Sequence, residues 1–85
     1  MAMQTYLEKR QPAHKMARFY RMAVMPNLFG EWTLYREWGR IGQGGQVRMD
    51  WFADESKAVA ALIRLEASKR QRGYWIEPQQ LAMFR

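Results

Sequence analysis

The 85-residue chain has no cysteine, one histidine (His14), two serines and two threonines. Without cysteine there is no disulfide staple and no thiolate metal site, which suits a reducing compartment. A lone histidine with scattered carboxylates does not supply a metal-ligand set. No Ser/His/Asp or Cys/His constellation can be assembled for nucleophilic catalysis. These absences predict a chain with no catalytic residues, no metal and no cofactor, and therefore not an enzyme. No stretch approaches a membrane span and the N-terminus shows no long apolar run, so the expected location is cytoplasmic. Acidic residues are also sparse, eight Asp and Glu against fourteen Lys and Arg.

What is present is aromatic and basic. Four Trp, four Tyr and four Phe in a 48% hydrophobic composition argue for a packed fold, and the chain length suits one small domain. The net charge of +6 favours an anionic partner, nucleic acid first and acidic protein surfaces second.

Alternation predicts strands over residues 5–10, 15–25, 31–38 and 46–52, with a short final strand at Tyr74, Trp75 and Ile76. On the second strand Tyr20, Met22 and Val24 share a face opposite Phe19, Arg21 and Ala23. On the third, Trp32, Leu34, Arg36 and Trp38 share a face opposite Thr33, Tyr35 and Glu37. Pro26 to Gly30 reads as a turn whose apolar Leu28 and Phe29 fold back onto the sheet. Gly39, Gly42, Gly44 and Gly45 read as a hairpin tip that needs glycine conformational freedom.

A helix is predicted over 55–72. Asp54 or Ser56 caps it, and Ala58, Ala61, Leu62 and Leu65 form an apolar stripe widened by Val59 and Ile63. Lys57, Arg64 and Gln71 face water, and Gly73 is the stop. If Arg36 lies on a buried face, its head must reach an edge or a partner. The tail from Gln79 to Arg85 is apolar for a free end, so it packs on the sheet or joins a second subunit. The result is an α+β domain over residues 1–85, with a core at about 7–76 and a tail at 77–85. It comprises a mostly antiparallel sheet of four or five strands with one helix on a face.

The strand exit at Trp38-Gly39-Arg40 concentrates the functional signal. Arginine supplies planar contacts to phosphate or base edges, and tryptophan supplies a flat face for a base or sugar. The glycine loop that follows has neither the lysine and Ser/Thr of a P-loop nor the dinucleotide spacing, and it leads into a strand. Gly39 would let a ligand approach the backbone between Trp38 and Arg40. Core packing is the competing reading of Trp38, and a solvated charge that of Arg40. Lys69 and Arg72 extend the helix stripe by one turn and should project across the end of the sheet, unless they only complement the helix dipole.

Trp38-Gly39-Arg40, followed by Ile41-Gly42, closely resembles the signature of the WGR domain family, which is named for those three residues. Arg18-Phe19-Tyr20 resembles the family's early basic-aromatic strand. Leu28-Phe29-Gly30-Glu31-Trp32 with Arg36-Glu37-Trp38 resembles its bacterial stand-alone branch, and Lys69 to Tyr74 its closing basic cluster and Gly-Tyr pair. In poly(ADP-ribose) polymerases this domain binds damaged DNA ends and relays the contact to a catalytic domain. The resemblance implies stacking by Trp38, a phosphate or relay contact by Arg40, and backbone contacts by Arg18 and Lys69. These 85 residues include no polymerase domain for a relay to act on. The expected function is a non-catalytic nucleic-acid-binding module, for DNA including ends or breaks, through Trp38, Gly39, Arg40, Arg18, Lys69 and Arg72. The alternative is a protein-interaction adaptor working through exposed aromatics or the tail.

Overall fold

The computed structural model describes residues 3–75. Strand β1 (Met3–Gln11) passes through a 3-10 turn at Pro12–His14 into β2 (Met16–Pro26). Then come β3 (Trp32–Arg40), β4 (Gln46–Phe52) and a single helix, α1 (Glu55–Gln71). The strands pair antiparallel in sequence order, so the sheet is a simple meander. This is the expected α+β architecture with four strands.

Period-two alternation explains which face is covered. Leu7, Tyr20, Met22, Val24 and Leu34 are buried beneath Ala58, Ala61 and Leu62 of α1. The small Ala58 and Ala61 let the helix approach the sheet closely, while Leu62 fills the space between strands. Burying each of the larger side chains contributes roughly 1.5–3 kcal/mol. Val59 and Leu65 flank this core, but Ile63 is half exposed and does not extend the stripe.

Both helix ends are closed by local chemistry. The Asp54 carboxylate accepts the Lys57 amide at 2.9 Å and the Ser56 hydroxyl at 2.7 Å, so Asp54 is the cap. Those bonds hold its pKa below the ordinary carboxylate value, the Ser56 hydroxyl contributing most. At the other end Gly73 takes φ +96°. The Tyr74 amide donates to the Lys69 carbonyl and the Gly73 amide to the Arg70 carbonyl, each at 3.0 Å. That is the Schellman pattern, and it turns Tyr74 back beneath the helix.

Three expectations are corrected. Leu28 and Phe29 do not fold back; they are 98% and 85% exposed at the β2–β3 tip. The Asn27 side-chain oxygen accepts the Phe29 amide at 2.8 Å and the Glu31 amide at 3.0 Å, so the turn is satisfied within itself. Gly39 belongs to β3 instead of the hairpin tip, where only Gly42 has positive φ. The closing strand is a single antiparallel bridge from Trp75 to Glu8 on the outer edge of β1. Ile76 and the tail lie outside the described residues.

Among the described residues no helix covers the opposite sheet face. There Tyr6 stacks on Phe19 at 6.2 Å and the Arg21 guanidinium lies 5.8 Å from the Phe19 ring. The Tyr6 hydroxyl donates to Glu8 at 2.8 Å, and Arg10 pairs with the same carboxylate at 3.0 Å. Burial, reinforced by the Glu8 contact, pushes the Tyr6 hydroxyl up to about 12.

The hairpin explains two of the glycines. A Cβ on Gly45 would stand 2.5 Å from the Trp38 carbonyl oxygen, and one on Gly39 would stand 3.0 Å from the Gly45 Cα. Backbone crowds both positions, so a side chain forces the strands apart. Gly45→Ala is expected to destabilise the fold by about 1–3 kcal/mol in urea unfolding. Gly44→Ala, with open space around it, should fall within about 0.5 kcal/mol of wild type. Equal behaviour of the two variants would refute this account of the hairpin.

Candidate nucleic-acid interface

The site is built on the Tyr20 ring. Register places Tyr20 opposite Trp38, and their rings stack at 5.7 Å with planes 14° apart. Tyr74, delivered by the Gly73 turn, meets the same ring edge-on at 6.3 Å. The Lys69 ammonium sits 4.5 Å from the Tyr20 centroid and 6.0 Å from that of Tyr74. Lys69 does project across the end of the sheet, as its place on the helix stripe predicts. Trp38 is half-buried, with one face of the indole committed to the Tyr20 stack.

Arg36 was missed as a member of this group, although its apolar neighbours flagged it as needing a partner. Its side chain is only 14% exposed and pairs with Asp50 at 3.0 Å. Its second nitrogen donates to the Tyr20 hydroxyl at 3.4 Å. Its Nε is buried with no hydrogen-bond partner among the described residues.

One step further along the sheet, register aligns three cations. Lys9 lies opposite Arg18, and Arg18 opposite Arg40. Alternation puts all three on the same face as Tyr20 and Trp38. Lys9 also lies alongside Gly73 and 5.9 Å from the Tyr74 ring, which links the row to the helix end. Lys9 gave no signal as an isolated residue; only strand pairing places it there. Arg18 and Arg40, with His14, Lys15 and Met16, line a surface depression of about 220 Å³. Arg72 is exposed at the helix cap.

Like charges directly opposite one another on paired strands are destabilising. Yet no ion pair engages Lys9, Arg18, Arg40, Lys69 or Arg72 among the described residues. Several carboxylates are committed elsewhere: Glu8 to Arg10, Glu37 to Arg21, Asp50 to Arg36 and Arg48, Glu66 to Arg70. Gly39 faces away from this surface. The space where its Cβ would stand is taken up by Gly45 and Phe19, so its lack of a side chain lets the two strands of the hairpin approach closely.

A profile of the WGR domain family matches residues 3–80. The chain belongs to the WGR domain family. This WGR chain is 45% identical over 73 residues to an uncharacterized protein, y4dW, of Sinorhizobium fredii. The match covers 86% of the chain but only 36% of that relative, so the WGR chain spans about a third of the relative's length. No solved structure shows a significant match. WGR is a binding-domain family, and in poly(ADP-ribose) polymerases it is a nucleic-acid-binding module. No described helix is long and apolar enough to cross a membrane. No described group of three or more acidic or histidine side chains could hold a metal ion.

Burial depresses the Lys69 pKa below its ordinary value, with repulsion from Arg72 and Arg36 adding to the effect. The folded state therefore disfavours the Lys69 charge. Between the depressed folded value and the ordinary 10.5, the unfolded chain binds more protons, so stability from this group rises with pH there. At neutral pH its charge opposes folding. Lys69→Met should accordingly be at least as stable as wild type at pH 7 in thermal unfolding, and should lack the alkaline gain. A clearly lower melting temperature for the variant at pH 7 would contradict this sign.

Proposed function

We propose that this WGR chain is a non-catalytic DNA-binding module. On this reading, the phosphate backbone lies across Lys9, Arg18 and Arg40, and the helix-end cations Lys69 and Arg72 engage the same strand. Trp38 offers its indole to a sugar or base at a strand terminus. The observation that carries the reading is the row of three cations, with two more at the helix end, beside a half-buried tryptophan, none of them paired with a carboxylate among the described residues. A folded chain tolerates such a row when an anion completes it. Electrostatic contacts of this kind fix position without reading sequence, so recognition of an end depends on Trp38, where the stack meets the edge of the site.

Fluorescence anisotropy tests the proposal with a blunt duplex and a closed circular duplex of the same sequence, each at two salt concentrations. Affinity should fall steeply with salt as counterions are released. Arg18→Gln and Arg40→Gln should each weaken binding and lower the salt slope by about 1. Trp38→Ala should weaken binding to the open duplex by about 1–3 kcal/mol, with circular dichroism verifying that the variant is folded. A preference for the open duplex that disappears in Trp38→Ala supports end recognition. No measurable binding to either duplex at low salt would overturn the proposal.

One observation favours a second reading, an interaction module. Leu28 and Phe29 protrude at the pole opposite the basic end, where an apolar pocket on another protein could receive them. The two readings separate because Trp38→Ala should leave an interaction through Leu28 and Phe29 intact.

A further inference from the structure

The two outer edges of the sheet differ. On β1, Trp75 bridges Glu8 through two backbone hydrogen bonds of 2.9 Å, and the described chain ends there. On the other edge, β4 pairs only with β3 among the described residues. An open edge strand is a template for another strand, and proteins usually blunt it with proline, lysine or a bulge. β4 contains neither proline nor lysine, and its pairing with β3 runs without interruption. Val47, Met49 and Trp51, on its helix-free face, are each about half exposed or more.

The sequence of this strand is complementary to itself. Read outward from Met49, Arg48 is matched by Asp50, Val47 by Trp51 and Gln46 by Phe52. We propose that a second copy of the chain pairs antiparallel with β4 about a two-fold axis through Met49. Arg48 then lies opposite Asp50 of the second copy, twice over, and Val47 opposite Trp51, twice over. Opposite charges and aromatic–β-branched pairs are the favourable cross-strand neighbours. Centring the pair on Arg48 or on Asp50 instead sets like charges against each other, so the charges select the Met49 register. The contact is self-complementary, as a two-fold interface must be. It extends the sheet from four strands to eight.

Directly opposed residues on paired strands point to the same side, so both helices and both basic rows lie on one side of the joined sheet. The pairing does not depend on the DNA reading, because none of the five cations lies on β4. It would nonetheless present two basic surfaces to one duplex.

Sedimentation on the full chain tests the proposal. Wild type should show a concentration-dependent mass approaching twice that of the 10.2 kDa chain. Met49 is on the axis and exposed, so Met49→Lys and Met49→Glu each oppose like charges without disturbing the core, and each should weaken the dimer at least about tenfold. An equimolar mixture of the two variants should recover the dimer, because lysine then faces glutamate; only a residue on the axis gives that result. A wild-type mass that stays at 10.2 kDa up to ~1 mM overturns the proposal. So does a dimer that neither variant weakens, or a mixture that fails to recover.

Discussion

Everything at the basic end depends on the position of one ring, Tyr20. It is buried on a central strand, stacked on Trp38 at 5.7 Å, met edge-on by Tyr74 and covered by the Lys69 ammonium at 4.5 Å. Its hydroxyl accepts from Arg36. The ring thus ties together β2, the exit of β3 and the last turn of α1, three segments far apart in the chain. Aromatic contacts with this geometry contribute about 0.5–1.5 kcal/mol each beyond burial. Their more important effect is to hold an ammonium in a partly desolvated position that it would not choose by itself.

Charge is sorted between the two faces of the sheet. On the helix-free face Glu8 and Glu37 pair with Arg10 and Arg21, and these carboxylates also accept from Tyr6 and Tyr35. On the helix face Asp50 serves both Arg36 and Arg48, and the Lys9–Arg18–Arg40 row receives no carboxylate among the described residues. With eight acids against fourteen Lys and Arg, six cations must go without a partner carboxylate of their own, and the fold decides where they lie. Concentrating the excess in one row gives the surface a directed positive field, the property that attracts an extended anion.

Much of this was legible before any coordinates. Alternation grouped Tyr20, Met22 and Val24 on one face of β2 and Leu34 with Trp32, Arg36 and Trp38 on one face of β3, but did not say which faces the helix covers; the Asp54 and Gly73 signals bounded the helix within a residue. The misses share a cause. Leu28 and Phe29 were expected to be buried because they are apolar, but the Asn27 side chain completes their turn without help from the sheet. The run of glycines suggested unusual backbone angles at each position, whereas Gly39 and Gly45 are small because two strands approach closely. Hydrophobicity and conformational permissiveness are properties of a residue; packing against a particular neighbour is not.

The sequence alone therefore determined the strand faces, the helix and its ends, the positive balance, and the Trp-Gly-Arg signature at the end of β3. Each of these depends on residue identity and short-range periodicity. Tertiary structure alone decided that Lys9, Arg18 and Arg40 form one row, that Arg36 reaches Tyr20 and Asp50, and that Lys69 and Trp38 share a ring. Those relations depend on strand register and on where the helix lies across the sheet, and both are set by packing between segments that no local pattern encodes.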